Sequence, residues 1–563
     1  MKKISRLVAL ALCCILLVGI VTACGGGSPS NTGSTTSAST APLGGAGAPG
    51  NAAGASDGNS GQAAGFAEEE KPVKDTLSFI ARTDLGTLYN GNMGGDLFAA
   101  IGLVNEPLWF QAKMVPDADV EMVLAESLEV ISPTEWIIHL RKNVKFSNGN
   151  PFTASDVIFT LKTLKESTNG VPRTQLQQPE NMEIIDDYTL RWIWDDFHIG
   201  QYGIITDILI IDEESYTEEG AATKPIGTGP YIVSEYVVNS HLFLEKRDDY
   251  WGEEPEFKYI QYRIMSEPAQ IANALQTGLV DVALSVANSD IDYLNDLPNV
   301  YVVSYFDTTY ANMRFNPSPQ GPLHDVEARY AICHAIDRQA IVDVVFGGRA
   351  EVLKRHVSMD CVDNEPRFDN QHPIYSIGYD VELAKKYADS SGLTGKTIKL
   401  MNTGLPEYVL ICEMVQDMLA QIGVDVQIVS YDAATATELG RDDITASSWD
   451  FTVSQGINPG YRVASVILMG VRSTRVLDTP GMWGEPGEIE EFVPKSYSFM
   501  NTPDPKVRSD LTYWMIDVWN KYALSYGLCD VMVSTAMSTS LDPSSFVYRH
   551  NGGLYAVKVR SAQ

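Results

Sequence analysis

The chain has 563 residues, with 41 Lys+Arg against 72 Asp+Glu, and is 44% hydrophobic and 20% charged. These proportions exclude a disordered, collagen-like or disulfide-stapled chain, and the length suffices for about three core-forming units. The formal net charge of -31 repels phosphate, so no nucleic acid partner is expected.

Residues 1–23 carry Lys2, Lys3 and Arg6, then an uncharged apolar run from Leu7 to Ala23, the layout of an export signal. The run is short for a membrane span and lacks flanking anchors, which favours cleavage. The segment Val21-Thr-Ala-Cys24-Gly25 resembles the lipobox of bacterial lipoproteins. That resemblance implies that Cys24 is lipidated and becomes the first residue of the mature chain, which would fix it to a membrane face. From Gly25 to Ala67 the chain is almost all Gly, Ser, Ala, Thr, Asn and Pro, with Asp57 as its only charge before the acidic run at Glu68 and Leu43 and Phe66 almost its only large apolar groups. Such a stretch cannot form a core, and as a flexible tether it reaches about 35 Å. The whole of 24–74 is therefore read as lipidated cysteine plus tether. Within it, Gly54-Ala-Ser56-Asp-Gly58 has the form of a hydrolase nucleophile elbow but neither the strand nor the helix that an elbow needs.

Further along, Thr134–Leu140 and Tyr188–Trp194 alternate as strands, and between them Thr153 or Ser155 can cap a helix with Val157, Leu161 and Leu164 on its apolar face. These elements predict a separate α+β unit. In the second half, Asp380 caps a helix over 381–390. A strand at 397–401, a helix at 406–422 with Leu410, Met414, Met418 and Ile422 at i+4 steps, and a strand at 424–429 then predict a right-handed parallel crossover. Ligands sit beyond the carboxyl ends of such strands, which makes the loop from Asn402 to Leu405 a candidate surface. Gly392-Leu-Thr-Gly395-Lys396-Thr397 is only part of a phosphate loop, because Ser390 stands where Gly is required and a strand follows. The eight His are scattered, and no Ser/His/Asp set or metal-like cysteine spacing is present. No catalytic residue, metal or cofactor is expected. Cys333 and Cys412 fall in helical patterns and are expected to be buried as small hydrophobes; no disulfide is expected among them, Cys361 and Cys529.

Three runs then coincide: Leu124-Ala-Glu-Ser-Leu-Glu-Val130, Trp136–Phe146 and Asn148-Gly-Asn-Pro-Phe-Thr-Ala-Ser-Asp-Val157. Pro225-Ile-Gly-Thr-Gly-Pro-Tyr231, Arg247-Asp-Asp-Tyr-Trp-Gly252, Ala274–Asp281, Phe315-Asn316, Asp325–Arg329, Ala335–Arg338 and Tyr379–Lys385 follow. In this order they resemble the extracellular solute-binding proteins, family 5, of ABC transporters for peptides, nickel and related solutes. The resemblance spans about 75–555. It implies an α/β, two-lobed periplasmic-binding-protein-like (type II) fold with an extra α+β domain inserted in lobe I. The expected boundaries are lobe I at 75–110, 222–308 and 525–563, the inserted domain at 111–221, and lobe II at 309–524.

The resemblance also implies a receptor, not an enzyme, lipid-anchored at the outer face of the cell membrane. It would capture a small solute, most often an oligopeptide, between its lobes and pass it to ABC permease and ATPase subunits. An oligosaccharide, another solute, or a sensing role on the same fold are the alternatives. Peptide-binding members carry an Asp for the peptide α-ammonium shortly before a Pro. Anchoring on Pro459 puts Gln455 at that place, a neutral amide that supplies no charge. The expected ligand contacts are Tyr89 and Asn90 after the first strand of lobe I, with Asn402, Trp449, Gln455, Asn458 and Tyr461 in lobe II.

Overall fold

The computed structural model describes residues 74–81, 87–88, 98–111, 120–166, 178–199, 201, 208–265, 267–284, 286–359, 361, 364–369, 372–402, 404–431, 435, 439, 448–457, 486–547 and 555–562. In chain order its strands are β1 Thr76–Ala81, β2 Trp109–Gln111, β3 Val120–Met122, β4 Ala125–Ser132, β5 Glu135–Leu140, β6 Met182–Asp186, β7 Thr189–Ile193, β8 Tyr231–Val237 and β9 His241–Lys246. They continue as β10 Tyr259–Ile264, β11 Val282–Ala283, β12 Val300–Phe315, β13 Ala350–Val352, β14 Thr397–Asn402, β15 Asp425–Ser430, β16 Phe451–Ile457 and β17 Ser525–Ser538.

Eleven of these strands form one sheet in the order β15-β14-β16-β12-β17-β11-β1-β10-β9-β8, with β13 beside β17. Its spine is the antiparallel pair β12 and β17, each long enough to run through both halves. At about 3.3 Å per residue, β12 is about 50 Å long. At one end the sheet is covered by Leu77, Phe79, Leu244, Ile260 and Tyr262 on one face and by Ile80, Ile271, Leu275 and Leu294 on the other. At the other end Ala311, Met313, Phe315, Phe451 and Val453 pack with Ile332, Ile411, Val415 and Leu419. These are the cores of the two lobes.

The crossover expected in the second half is present. Asp380 accepts the Leu383 N–H at the start of the helix Val381–Ser390, and the helix Pro406–Ala420 joins two parallel strands, β14 and β15. Of the expected stripe, Ile422 is buried in the second lobe's core and Met414 and Met418 pack against it, while Leu410 is exposed; the fully buried positions of the helix are Ile411, Cys412, Val415 and Leu419. The helix is apolar over more than half its circumference, so spacing alone does not choose the face. Cys333 and Cys412 are fully buried, and all four described cysteines are free.

The strands β4-β5-β7-β6 make a separate four-stranded sheet. Its core face, with Trp136, Ile138, Leu140, Leu190 and Trp192, packs on the helix Ala154–Glu166 through Val157, Leu161 and Leu164. Of the two candidate caps, Thr153 begins this helix: the Asp156 carboxylate accepts both its N–H and its Oγ–H, at 2.8 and 3.1 Å.

The long motifs meet at the joint between this inserted domain and the first lobe. Gly229 N–H donates to the Val104 carbonyl at 2.9 Å. A Cβ on Gly227 would lie 2.0 Å from the Val104 carbonyl oxygen, and one on Gly229 would lie 2.4 Å from that of Leu103. Neither glycine has positive φ. Close approach of two backbones, not a left-handed turn, is what requires them. The buried Arg247 guanidinium donates to the carbonyls of Lys145, Phe146, Gly227 and Gly229 at 3.3–3.4 Å. Beside it, the buried carboxylate of Glu106 accepts Tyr250 Oη–H at 2.6 Å and Trp251 Nε1–H at 3.0 Å. The Tyr-Trp pair of the Arg247–Gly252 motif is thereby explained: both side chains satisfy one buried acid.

Candidate functional site

The pairing of β12 and β17 is regular from Val300↔Ser538 to Phe306↔Met532, breaks, and resumes at Tyr310↔Asp530. Below the break β17 also pairs with β11; above it β12 pairs with β16 and β17 with β13. The chain therefore crosses between lobes at this irregularity, where a disrupted ladder bends more readily than a regular one.

Strand directions place the ends of the parallel strands here. β1, β10 and β11 are mutually parallel, β11 is antiparallel to β17, and β12 is antiparallel to both β17 and β16. Since β14 and β15 follow β16, the carboxyl ends of the first lobe's parallel strands point toward the second lobe, and those of the second lobe's point back. Ala81, Asn402, Ser430 and Ile457 are the terminal residues of β1, β14, β15 and β16. Two facing sets of carboxyl ends form the crevice in which α/β sheets hold ligands.

Among the expected contacts, Gln455 is exposed and lies on β16 opposite Ala311, one step beyond the Tyr310 pair that borders the break. Its neighbour Gly456 has no room for a side chain, because a Cβ would meet the Tyr310 ring at 2.3 Å. Asn402 is buried at the carboxyl edge of β14. It accepts the Gly404 N–H at 2.8 Å and donates to Ser430 Oγ at 3.2 Å, which ties the ends of β14 and β15. Trp449 is also buried, against Met401, with Nε1–H donating to the Leu439 carbonyl at 3.3 Å. Tyr89, Asn90, Asn458, Tyr461 and the lipidation residue Cys24 lie outside the described residues, as do the Gly54–Gly58 match and the expected tether.

Tyr310 and Arg314 were not singled out from the sequence. Both project from the face of β12 opposite Ala311 and Met313. Burial pushes the Tyr310 phenol up and the half-buried Arg314 guanidinium down. Asp530, paired with Tyr310 across the break, accepts the Met359 N–H at 2.7 Å. Nearby His356 is driven down to about 3 by burial and stacks on Trp519 at 5.8 Å, so its imidazole is neutral at ordinary pH. Residues on an ordinary alternating strand carry no sequence signal for this position. Glu106 did carry one, as a lone acid in the apolar run Ile101–Phe110.

Two lobes on a continuous sheet, crossed by two strands beside facing carboxyl ends, define the bilobal solute-binding class. Residues 119–474 match the model of the bacterial extracellular solute-binding proteins, family 5 (Middle). The chain belongs to that family. It is 26% identical over 372 residues to the probable ABC transporter periplasmic-binding protein SapA of Escherichia coli K12, an alignment covering 58% of this chain and 65% of that protein. It is 24% identical over 344 residues to Di/tripeptide-binding protein 1 of Pseudomonas aeruginosa UCBPP-PA14, covering 55% and 63% respectively. The matched regions thus span slightly under two thirds of these curated relatives. Among solved structures, NikA from Brucella suis in complex with Fe(III)-EDTA superposes with a TM-score of 0.74 at 19% identity, covering 86% of this chain and 100% of that one. The shared fold is the two-lobed periplasmic-binding-protein-like one, with the extra α+β domain inserted in the first lobe.

Proposed function

We propose that this protein is the lipid-anchored, extracytoplasmic solute receptor of an ABC importer, which closes its lobes on an oligopeptide and delivers it to the permease and ATPase. The observation that carries this reading is the pair of facing carboxyl ends at the crossing, with Gln455 exposed beside it. The names of the relatives support peptides. Tyr89, Asn90, Asn402, Trp449, Asn458 and Tyr461 complete the proposed contact set, with Asn402 tying the ends of β14 and β15 and Trp449 packing on the adjacent Met401.

A second reading, a non-peptide solute such as an oligosaccharide, is favoured by one feature: the amide of Gln455 stands where peptide binders are expected to carry an acid. An amide hydrogen-bonds an ammonium but does not offset the desolvation of its charge in a closed cleft. Binding of tripeptide and oligosaccharide panels, followed by calorimetry on the best solute, separates the two. Gln455→Ala is expected to weaken that binding by about 1–3 kcal/mol with little change in the stability of the solute-free protein. Gln455→Asp is expected to shift preference toward peptides with a free α-ammonium. An unchanged solute profile in both variants would remove Gln455 from the site.

A further inference from the structure

The inserted domain touches the second lobe through a short excursion of its own chain. Trp194 and Ile208 are both in the inserted domain's core, with Trp194 N–H bonded to the Thr134 carbonyl. After Trp194 the chain leaves that core, with Phe197 and Ile199 in another cluster. Its departure is fixed by Asp195, whose N–H donates to Gln178 Oε1 at 3.1 Å and whose carboxylate accepts Asn181 Nδ2–H at 3.2 Å. It then turns, with Gln201 N–H donating to the His198 carbonyl at 2.9 Å.

What this turn presents is apolar and is not exposed. Phe197 and Ile199 are 8% and 5% accessible, and they belong to a cluster whose other members include Phe492 and Phe499 of the helix Pro486–Asn501 and Met515 and Trp519 of the helix Pro505–Lys521. That helix pair lies on the second lobe: the same cluster takes in Tyr310, Leu353 and Leu524, on the sheet face opposite the lobe's main core. One backbone hydrogen bond seals the contact, from Ile199 N–H to the Met500 carbonyl at 2.8 Å. An ordinary surface turn would show these side chains to water. Here two apolar groups and a backbone donor of one domain are satisfied only by the opposing lobe.

We propose that the segment Asp195–Ile199 is a latch that holds the lobes together before any solute binds and so sets the fraction of protein in the closed form. Opening would return Phe197, Ile199 and the apolar groups facing them to water. Solute would then act on an equilibrium already biased by the latch, and its apparent affinity would scale with the closed fraction. This rests on the two-lobed receptor reading for its consequence, but the contact itself can be tested without solute.

The test is cysteine cross-linking of His198→Cys with Asn501→Cys, which flank the Ile199 to Met500 bond and leave both latch side chains in place, in the full chain, using a short bis-maleimide and reading the mobility shift on a denaturing gel. Each variant with only one of the two introduced cysteines is the control for the four buried native ones. The pair is expected to cross-link without added solute, and Phe197→Ala in the same background is expected to slow the reaction at least about tenfold. Phe197→Leu should restore most of the rate, which separates loss of the latch from loss of the fold. No cross-link without solute, a cross-link that requires a tripeptide mixture, or a rate indifferent to Phe197→Ala would each overturn the latch. None of these outcomes bears on whether the cleft binds a solute, which the panels decide separately.

Discussion

Gly227→Ala is expected to destabilise the protein by about 3 kcal/mol or more, with a cooperative loss of the inserted domain's attachment. The methyl group would sit 2.0 Å from the Val104 carbonyl oxygen and 2.7 Å from its carbon, with Asn105 Cγ at 2.8 Å. Two of those three atoms are backbone, held by the Gly229 N–H to Val104 bond, and the third belongs to a side chain that donates to Ile210 and Ile226. Nothing nearby can yield without breaking the bonds that join the domain to the lobe. Gly321→Ala is the comparison, because its nearest neighbour, the Ser318 carbonyl oxygen, is 3.3 Å away and can shift slightly. That variant is expected to lose no more than about 1 kcal/mol. Chemical denaturation of both checks the argument, and similar midpoints would show that the joint is more compliant than its geometry implies.

Cys24→Ser is expected to abolish membrane attachment while leaving solute affinity and melting temperature unchanged. Stable anchoring takes two lipid signals, and the proposed modification on Cys24 would supply all of them. The Gly25–Ala67 stretch, with almost no large apolar side chains, would separate that anchor from the folded part. Membrane fractionation decides it. Retention of the Ser variant in the detergent phase would mean that the anchor lies elsewhere in the chain.

Local signals in the sequence carried much of the fold. The parallel crossover at 397–430 was legible because a strong cap, two β-rich runs and a long helix agree with one another, and the sheet pairs them as expected. The face of the helix Pro406–Ala420 was legible only in part, since Met414, Met418 and Ile422 reach the core but Leu410 does not, and the fully buried line runs through Ile411 and Val415. For the motif glycines the residue type was plain but its cause was not, because the backbone they approach lies more than a hundred residues earlier, at Leu103 and Val104. The site is less legible still. The break between Phe306 and Tyr310 falls within a continuous β-rich run, and the Ile199 to Met500 contact joins segments far apart in the chain. Such features are products of tertiary packing, and no local pattern announces them.

The most direct measurement of the central claim is melting temperature and small-angle scattering of the protein across tripeptide and oligosaccharide panels. A true solute is expected to stabilise by RT ln(1 + [L]/Kd), about 2.7 kcal/mol at a hundredfold excess over Kd, and to lower the radius of gyration at the same concentrations. Stabilisation without compaction would contradict closure of the lobes on the solute, and no stabilisation by any member of either panel would contradict the receptor reading itself.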